Sequence, residues 1–119
     1  MILQGDIIIA PFPYSDFSST KIRPSLVISN NSVNATGDII AIGISSTPPL
    51  INGITLSDKD FSKGSLSMKS HAVCHKIHLI DKNLVKGTVA RLKPATLKLL
   101  IQLTKHLITP SGRTKRRPE

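Results

Sequence analysis

The sequence predicts a mainly β domain: a small, strongly twisted sheet or partly open barrel, covered on one face by a single C-terminal helix. Short runs of β-branched and apolar residues, separated by Pro, Gly, Ser, Asn or Asp, recur along residues 5–92 and are typical of short strands. The segment that follows has its apolar residues at helical spacing instead. A sheet accompanied by one helix buries an apolar face beneath that helix.

The strands are predicted from runs that end at turn residues. Pro11 and Pro13 are expected to end the first strand and to open a long polar loop that extends to Lys21. The residues Ser45–Pro49 are expected to break the third strand. The predicted strands are Gly5–Ala10, Ser25–Ser29, Asp38–Ile44, a short edge strand Ile54–Leu56, Ser70–Ile80 and Leu84–Leu92.

The helix is predicted to begin at Pro94, because proline suits the first helical turn. Its apolar stripe has the i, i+3, i+4, i+7 spacing of one buried face, and Pro110 with Gly112 ends it. The stripe consists of Leu97, Leu100, Ile101, Thr104, Leu107 and Ile108. We therefore predict one domain over residues 1–110 and a basic, disordered tail over residues 111–119.

The composition excludes several classes of protein. With 119 residues, 39% of them hydrophobic, the chain is long enough to bury a core without disulfides. Cys74 is the single cysteine, which suits a reducing cytoplasm, and no apolar run is long enough for a membrane span. No glycine-rich nucleotide-binding motif is present. We expect a cytoplasmic protein with no membrane contact.

The positive charge is concentrated in the second half of the chain. Residues 1–60 have three basic and five acidic residues, whereas residues 61–119 have thirteen basic and two acidic residues. A basic half favours a polyanionic partner such as nucleic acid or an acidic protein, although such charge also serves solubility alone.

The histidines near Cys74 raise the question of a metal site. On a helix, His71, His75 and His78 would share a face and could bind zinc. On the predicted strand, His71 and His75 lie on one face and His78 on the other, which divides the set. We therefore expect no metal site. His75 remains a candidate acid or base, because its ordinary pKa of about 6.5 suits proton transfer near neutrality, or else a surface histidine.

Candidate catalytic residues lie where polar segments meet predicted strands. Arg23 follows the polar loop, and its guanidinium matches the geometry of phosphate oxygens. Ser45, Ser46 and Thr47 end the third strand, either as site residues or simply as a turn. The sequence shows no Ser-His-Asp set and no carboxylate pair with a catalytic partner. RNA would remove the need for a protein nucleophile, because the substrate carries its own 2′-hydroxyl.

Four segments, in this order, resemble the MazF/PemK (Kid) family of type II toxin–antitoxin ribonucleases. Gly5–Asp16 resembles the opening of that family, and Lys21–Ser29 resembles its second motif, an Arg-Pro pair before a hydrophobic strand. Asp38–Ser46 resembles its third motif, a buried strand that ends in Thr or Ser. Val73–Leu92, followed by Lys-Pro and the helix, resembles its C-terminal half.

The resemblance implies a small SH3-like, partly open barrel of the CcdB/Kid kind with a C-terminal helix. It implies a homodimer that cleaves single-stranded RNA at short sequences without a metal or other cofactor. The products expected are a 2′,3′-cyclic phosphate and a 5′-hydroxyl. It also implies a cognate antitoxin whose acidic C-terminal segment fills the RNA groove.

By position, the resemblance implies that Arg23 and Ser45 are catalytic. The family's strand that faces the substrate has an Arg and an Asp where this chain has Val73 and His75, so His75 is assigned as base or RNA contact. Arg23 is assigned to stabilise the phosphorane, because a guanidinium is a poor base at neutral pH. The predicted RNA-binding residues are Pro13, Tyr14, Ser18, Thr20, Lys21, Ser46, Thr47, Ser70 and Lys76.

Two other functions fit the same residues. One is a non-catalytic RNA-binding module, for which basic charge alone would suffice. The other is a toxin against a protein target, like the gyrase toxins on this barrel, which act through the end of the C-terminal helix. In this chain that end is Leu107–Pro110.

Overall fold

A computed structural model describes residues 1–13, 20–49 and 51–111. Within these described ranges the chain forms seven strands, a one-turn helix α1 and a C-terminal helix α2, with 3₁₀ turns at Asp58–Asp60 and Lys82–Leu84. The strands are β1 (Asp6–Pro13), β2 (Thr20–Val27), β3 (Asp38–Ser45), β4 (Gly53–Leu56), β5 (Phe61–Gly64), β6 (Ser70–Asp81) and β7 (Gly87–Leu92). The helices are α1 (Asn31–Asn34) and α2 (Pro94–Ile108).

All seven strands belong to one antiparallel sheet in the order β4-β6-β3-β2-β1-β7-β5. The first strand pairs with the last long one, since Asp6 lies opposite Arg91 in the β1–β7 ladder. The sheet curls into a half-barrel, and α2 packs against one of its faces. The predicted fold class, a mainly β, partly open barrel with a C-terminal helix, is confirmed.

Apolar side chains are buried on both faces of this curled sheet. One cluster contains Ile7, Leu26 and Ile42, and α2 packs on it through Leu97, Leu100, Leu103 and Leu107. Ile108, which the predicted stripe included, is exposed instead. The other contains Ile8, Val27, Ile39 and their neighbours on the opposite face. Successive residues of β1 and β2 therefore enter different clusters, as the two-residue repeat of a strand requires.

The prediction that Pro11 and Pro13 end the first strand is wrong. β1 continues through both prolines and pairs with β2 as far as Pro13, opposite Thr20. The carbonyl of Ile9 accepts a hydrogen bond from Lys86 N on the β7 side, so the alternate residues 11 and 13 also direct their backbone to that side. The β1–β7 pairing stops at Ile9. The prolines therefore lack an N–H only where no ladder needs one.

Strand β5 is not among the predicted strands. Its four residues, Phe-Ser-Lys-Gly, are mostly polar and exposed, and they pair only with β7 at the edge of the sheet. Such a strand has no apolar alternation by which a sequence pattern could detect it.

Strand β6 contains a three-residue bulge. Val73 lies opposite Gly43 and Ile77 lies opposite Ile42, so Cys74, His75 and Lys76 have no counterpart on β3. The backbone N–H of Cys74 instead donates to the carbonyl of Asn52, 2.9 Å away. An odd number of inserted residues reverses which face the later side chains occupy.

Candidate active site

A cleft of about 580 Å³ opens where β2 and β3 separate. The last pair of the β2–β3 ladder is Ser25 with Gly43. Beyond it, Arg23 and Pro24 line one side of the cleft, and the end of β3 with the following turn lines the other. Pro24 has no N–H to continue this ladder, which gives the separation a local cause.

Among the described residues, the charged side chains that line the cleft are all basic. Arg23 comes from β2 and Lys76 from the bulge of β6, and no described lining residue is acidic. Both cations occupy exposed positions, and the other polar contributors are hydroxyl groups. A concave surface with two cations and several hydroxyls attracts an anion such as a phosphate.

The hydroxyls lie on a turn at the end of β3 that contains a hydrogen bond from backbone to side chain. The Ser45 side chain accepts a hydrogen bond from the backbone N–H of Thr47 over 3.0 Å. That bond uses a lone pair of Ser45 Oγ and leaves its hydroxyl proton for a group in the cleft. Ser46 and Thr47 are exposed beside it.

The structure brings together half of the predicted site residues. Six line the cleft: Arg23, Ser45, Ser46, Thr47, Ser70 and Lys76. Lys21 is exposed on β2 opposite Phe12 but does not line the cleft. Pro13 and Thr20 form the last described pair of the β1–β2 hairpin, whereas Tyr14 and Ser18 lie outside the described residues.

His75 and His71 do not line the cleft. His75 lies in the bulge of β6 and is exposed. His71 is buried, and its Nδ1 lies 2.9 Å from the Thr55 hydroxyl. The catalytic role assigned to His75 therefore stays a prediction.

The prediction that His78 lies on the opposite face from His71 is wrong. His71 lies opposite Ser45 and His78 lies opposite Ala41, four residues apart on β3, so both project from the same face. The bulge causes this, because its three extra residues shift the alternation of β6. In the described part of the chain, no three His, Cys, Asp or Glu side chains are grouped to bind a metal ion.

The predicted site left out three contributors to the cleft. The loop 65–68 and Val89 close its far side, and this loop follows β5, the strand without a sequence signal. Phe12 lines the cleft, and its ring contacts His78 edge to face with centroids 4.7 Å apart. The aromatic residue was visible in the sequence, but its contact with His78 depends on the bulge.

His78 connects the two strands that carry the cations. Its Nε2 lies 3.2 Å from Ser25 Oγ on β2, and its Nδ1 lies 3.1 Å from the carbonyl oxygen of Lys76. Burial lowers the pKa of His78, and the hydrogen bond to the Lys76 carbonyl opposes that effect only in part. Burial therefore favours the neutral form of this imidazole.

Comparison with known proteins identifies the family to which this chain belongs. Residues 3–107 match the family model of the PemK-like, MazF-like toxins of type II toxin–antitoxin systems. The chain belongs to this family. A search of the curated proteins found no match for this PemK/MazF-like toxin.

Solved structures share the fold of this toxin at low sequence identity. An endoribonuclease from a mycobacterial species, in complex with its cognate antitoxin, has a TM-score of 0.73 and 19% identity, over 94% of this chain and 100% of that one. The MazE–MazF complex (Form-II) from Deinococcus radiodurans has a TM-score of 0.72 and 17% identity, over 90% and 95%. The Mycobacterium tuberculosis toxin MazF-mt6 has a TM-score of 0.65 and 16% identity, over 85% and 93%.

None of the helices in the described part of the toxin is both long and apolar enough to cross a membrane.

Proposed function

We propose that this chain is a metal-independent endoribonuclease that cleaves single-stranded RNA. The observation that carries the proposal is the meeting of Arg23 and Ser45, from separate strands, in one cleft with Lys76 and no acidic residue among its described lining. Membership of a toxin family supports it, and so does the likeness in fold to endoribonucleases from mycobacterial species. The cytoplasm, where RNA is available, is its proposed place of action.

In the proposed reaction the RNA supplies its own nucleophile. The 2′-oxygen forms a bond to phosphorus, the bond from phosphorus to the 5′-oxygen breaks, and a 2′,3′-cyclic phosphate with a 5′-hydroxyl results. His75, the predicted base, accepts the proton of the 2′-hydroxyl, and a water molecule delivers one proton to the departing 5′-oxygen. Arg23 stabilises the negative phosphorane through its forked N–H donors, and the Ser45 hydroxyl donates a hydrogen bond to a phosphate oxygen.

The remaining predicted residues are proposed to hold the RNA. Lys76, Ser46, Thr47 and Ser70 line the cleft and contact phosphate or ribose oxygens. The RNA-contact role of Lys21, Pro13, Thr20, Tyr14 and Ser18 stays a prediction that follows from the family resemblance. His75 stays the predicted base. A His75→Ala variant with an unchanged cleavage rate and pH profile would disprove this role.

Cleavage of a long single-stranded RNA in the presence of EDTA tests the proposal. Wild type should produce discrete cuts that end in cyclic phosphate. Arg23→Ala should reduce the rate by about 10²–10³-fold, the effect of losing one donor to a developing oxyanion. Lys105→Ala removes an exposed cation of α2 outside the cleft and should cleave like wild type. Absence of cleavage by a folded wild type would refute the proposed activity.

We also propose a cognate antitoxin and a homodimer. Complexes of a toxin with an antitoxin among the structures of the same fold support the first partner. The two cleft cations suit an acidic antitoxin segment. Binding of such a segment should inhibit cleavage, and light scattering of the free toxin should give twice the chain mass.

Removal of residues 111–119 distinguishes two hypotheses: a toxin that cleaves RNA in the cleft, and a toxin that binds a protein target through the end of its C-terminal helix. The described lining of the cleft comes from residues between Ile9 and Val89, so we expect the truncated chain to keep its cleavage rate. Loss of cell toxicity with RNA cleavage intact would instead favour a protein target recognised near Pro110.

A further inference from the structure

His78 is a partly buried imidazole beside the cleft that the proposed reaction does not use. It touches three elements: Ser25 on β2, the Lys76 carbonyl in the bulge of β6, and the Phe12 ring on β1. Two of these partners, Phe12 and Lys76, line the cleft, whereas His78 does not. The imidazole thus lies directly behind the cleft wall.

The partners of His78 determine its tautomer. A carbonyl oxygen only accepts hydrogen bonds, so the Lys76 contact requires a proton on Nδ1. In the neutral ring Nε2 is then an acceptor, and Ser25 Oγ–H donates to it. Ser25 is 1% exposed, so its hydroxyl has little access to water as an alternative partner. Loss of the imidazole would leave a buried hydroxyl without this acceptor.

The contact matters because the bulge has no ladder of its own. Cys74, His75 and Lys76 lack counterparts on β3, so the ordinary strand pairing does not fix where the Lys76 side chain lies. One end of the bulge is held by the hydrogen bond from Cys74 N to the Asn52 carbonyl. The hydrogen bond from His78 to the Lys76 carbonyl holds the other end.

Phe12 extends the same support across the cleft floor. A Cβ on Gly43 would lie only 3.0 Å from the Phe12 ring and 3.5 Å from Lys76 Cβ. The ring, the glycine backbone and the lysine stem therefore meet at one point. The rings of His78 and Phe12 meet in an edge-type contact, and the hydrogen bond of His78 to the Lys76 carbonyl restrains the lysine backbone.

We propose that His78 is a positioning residue for the cleft, which acts through Lys76 and Phe12 by joining the bulge of β6 to Ser25 of β2. For catalysis this rests on the proposed ribonuclease function. Its direct consequence is structural: without the imidazole the Lys76 carbonyl loses its hydrogen bond from Nδ1, and the lysine no longer has a single position at the cleft.

Steady-state cleavage of a single-stranded RNA oligonucleotide by four single variants and one double variant tests the proposal. His78→Ala should lower kcat by about 10- to 100-fold, the scale of a misplaced group, with KM within about threefold of wild type. His78→Asn, which keeps an N–H donor for the Lys76 carbonyl, should recover most of this loss. Ser25→Ala should lower kcat in the same direction and have less effect in the His78→Ala background. His106→Ala, an exposed histidine of α2, should match wild type.

Amide hydrogen exchange of the same proteins gives a readout that does not depend on activity. His78→Ala should accelerate exchange across residues 74–77 at least tenfold, with the β1–β2 ladder unchanged and His106→Ala as control. If wild type does not cleave RNA, the ribonuclease proposal fails and this measurement alone decides the positioning role. Unchanged exchange in a folded His78→Ala would overturn the proposal. A kcat of His78→Ala within twofold of wild type would also overturn the proposal. So would equal losses of kcat in His78→Asn and His78→Ala together with no loss in Ser25→Ala.

Discussion

The ion pair of Asp6 and Arg91 gives the sharpest test of what holds strand β1 to strand β7. The Asp6 side chain is 1% exposed, and its Oδ1 lies 2.7 Å from Arg91 Nε. Its Oδ2 accepts the backbone N–H of Leu3 over 2.9 Å. Arg91→Met keeps most of the aliphatic stem and removes the guanidinium, which leaves a buried carboxylate with one donor.

The expected cost follows from the burial of the two partners. Removing one partner of a fully buried ion pair costs about 3–5 kcal/mol. The Arg91 side chain is 32% exposed, so water can reach the vacated position, and Leu3 continues to donate. We therefore expect a loss of about 2–3 kcal/mol in the free energy of unfolding. With the urea dependence of a small domain, the midpoint falls by roughly 1–2 M.

Urea unfolding followed by circular dichroism measures this loss, and the chain offers a matched control. Lys63 lies opposite Arg91 on β5 and is exposed, so Lys63→Met should change stability by less than about 0.5 kcal/mol. Equal, small effects of the two substitutions would refute the reasoning. It would mean that the Asp6 carboxylate gains its stabilisation from somewhere other than the guanidinium.

Three further predictions concern single side chains. Asp60→Asn should cost about 1 kcal/mol at pH 7, because hydrogen bonds from Ser57 N and the Thr96 hydroxyl lower the pKa of Asp60 below 3.8. That stabilisation is complete above the unfolded-state pKa and is lost as the pH falls through the lower folded-state value, so urea unfolding should show the two proteins converging in acid. Cys74 is fully buried, and burial raises the pKa of its thiol. A thiol reagent should therefore modify Cys74 only as fast as the protein opens. Rapid labelling of the native protein would contradict this. Gly43→Val should lower the free energy of unfolding by about 1–3 kcal/mol, measured by thermal or urea unfolding, and should abolish RNA cleavage. The reason is that the valine side chain would occupy the space of the Phe12 ring. An active, equally stable variant would show that the ring moves freely.

The sequence was sufficient for features that depend on local pattern. β-Branched runs and turn residues located six of the seven strands, and helical spacing located α2 almost to the residue. It failed where a neighbouring strand decides the outcome. Pro11 and Pro13 are compatible with a strand only because β7 has already stopped pairing with β1 at that point. No pattern within residues 5–13 contains that information.

The candidate site shows the same division. Arg23 and Ser45 were predicted from motifs, and both line the cleft. Lys76, predicted only as an RNA contact, lines it as well, whereas its neighbour His75 does not, because the bulge alters the alternation of β6. A bulge is set by cross-strand register, so its effect on His75 and His78 could be seen only in the folded sheet.

The pairing of β1 with β7 has a consequence for synthesis on the ribosome. Residues 6–9 pair with residues 87–91, so a growing chain cannot complete its sheet until nearly all of the domain has left the exit tunnel. Contacts so distant in sequence form late in folding. We therefore expect a prematurely terminated chain that ends before β7 to be unfolded and harmless, although it already contains Arg23, Ser45 and Lys76.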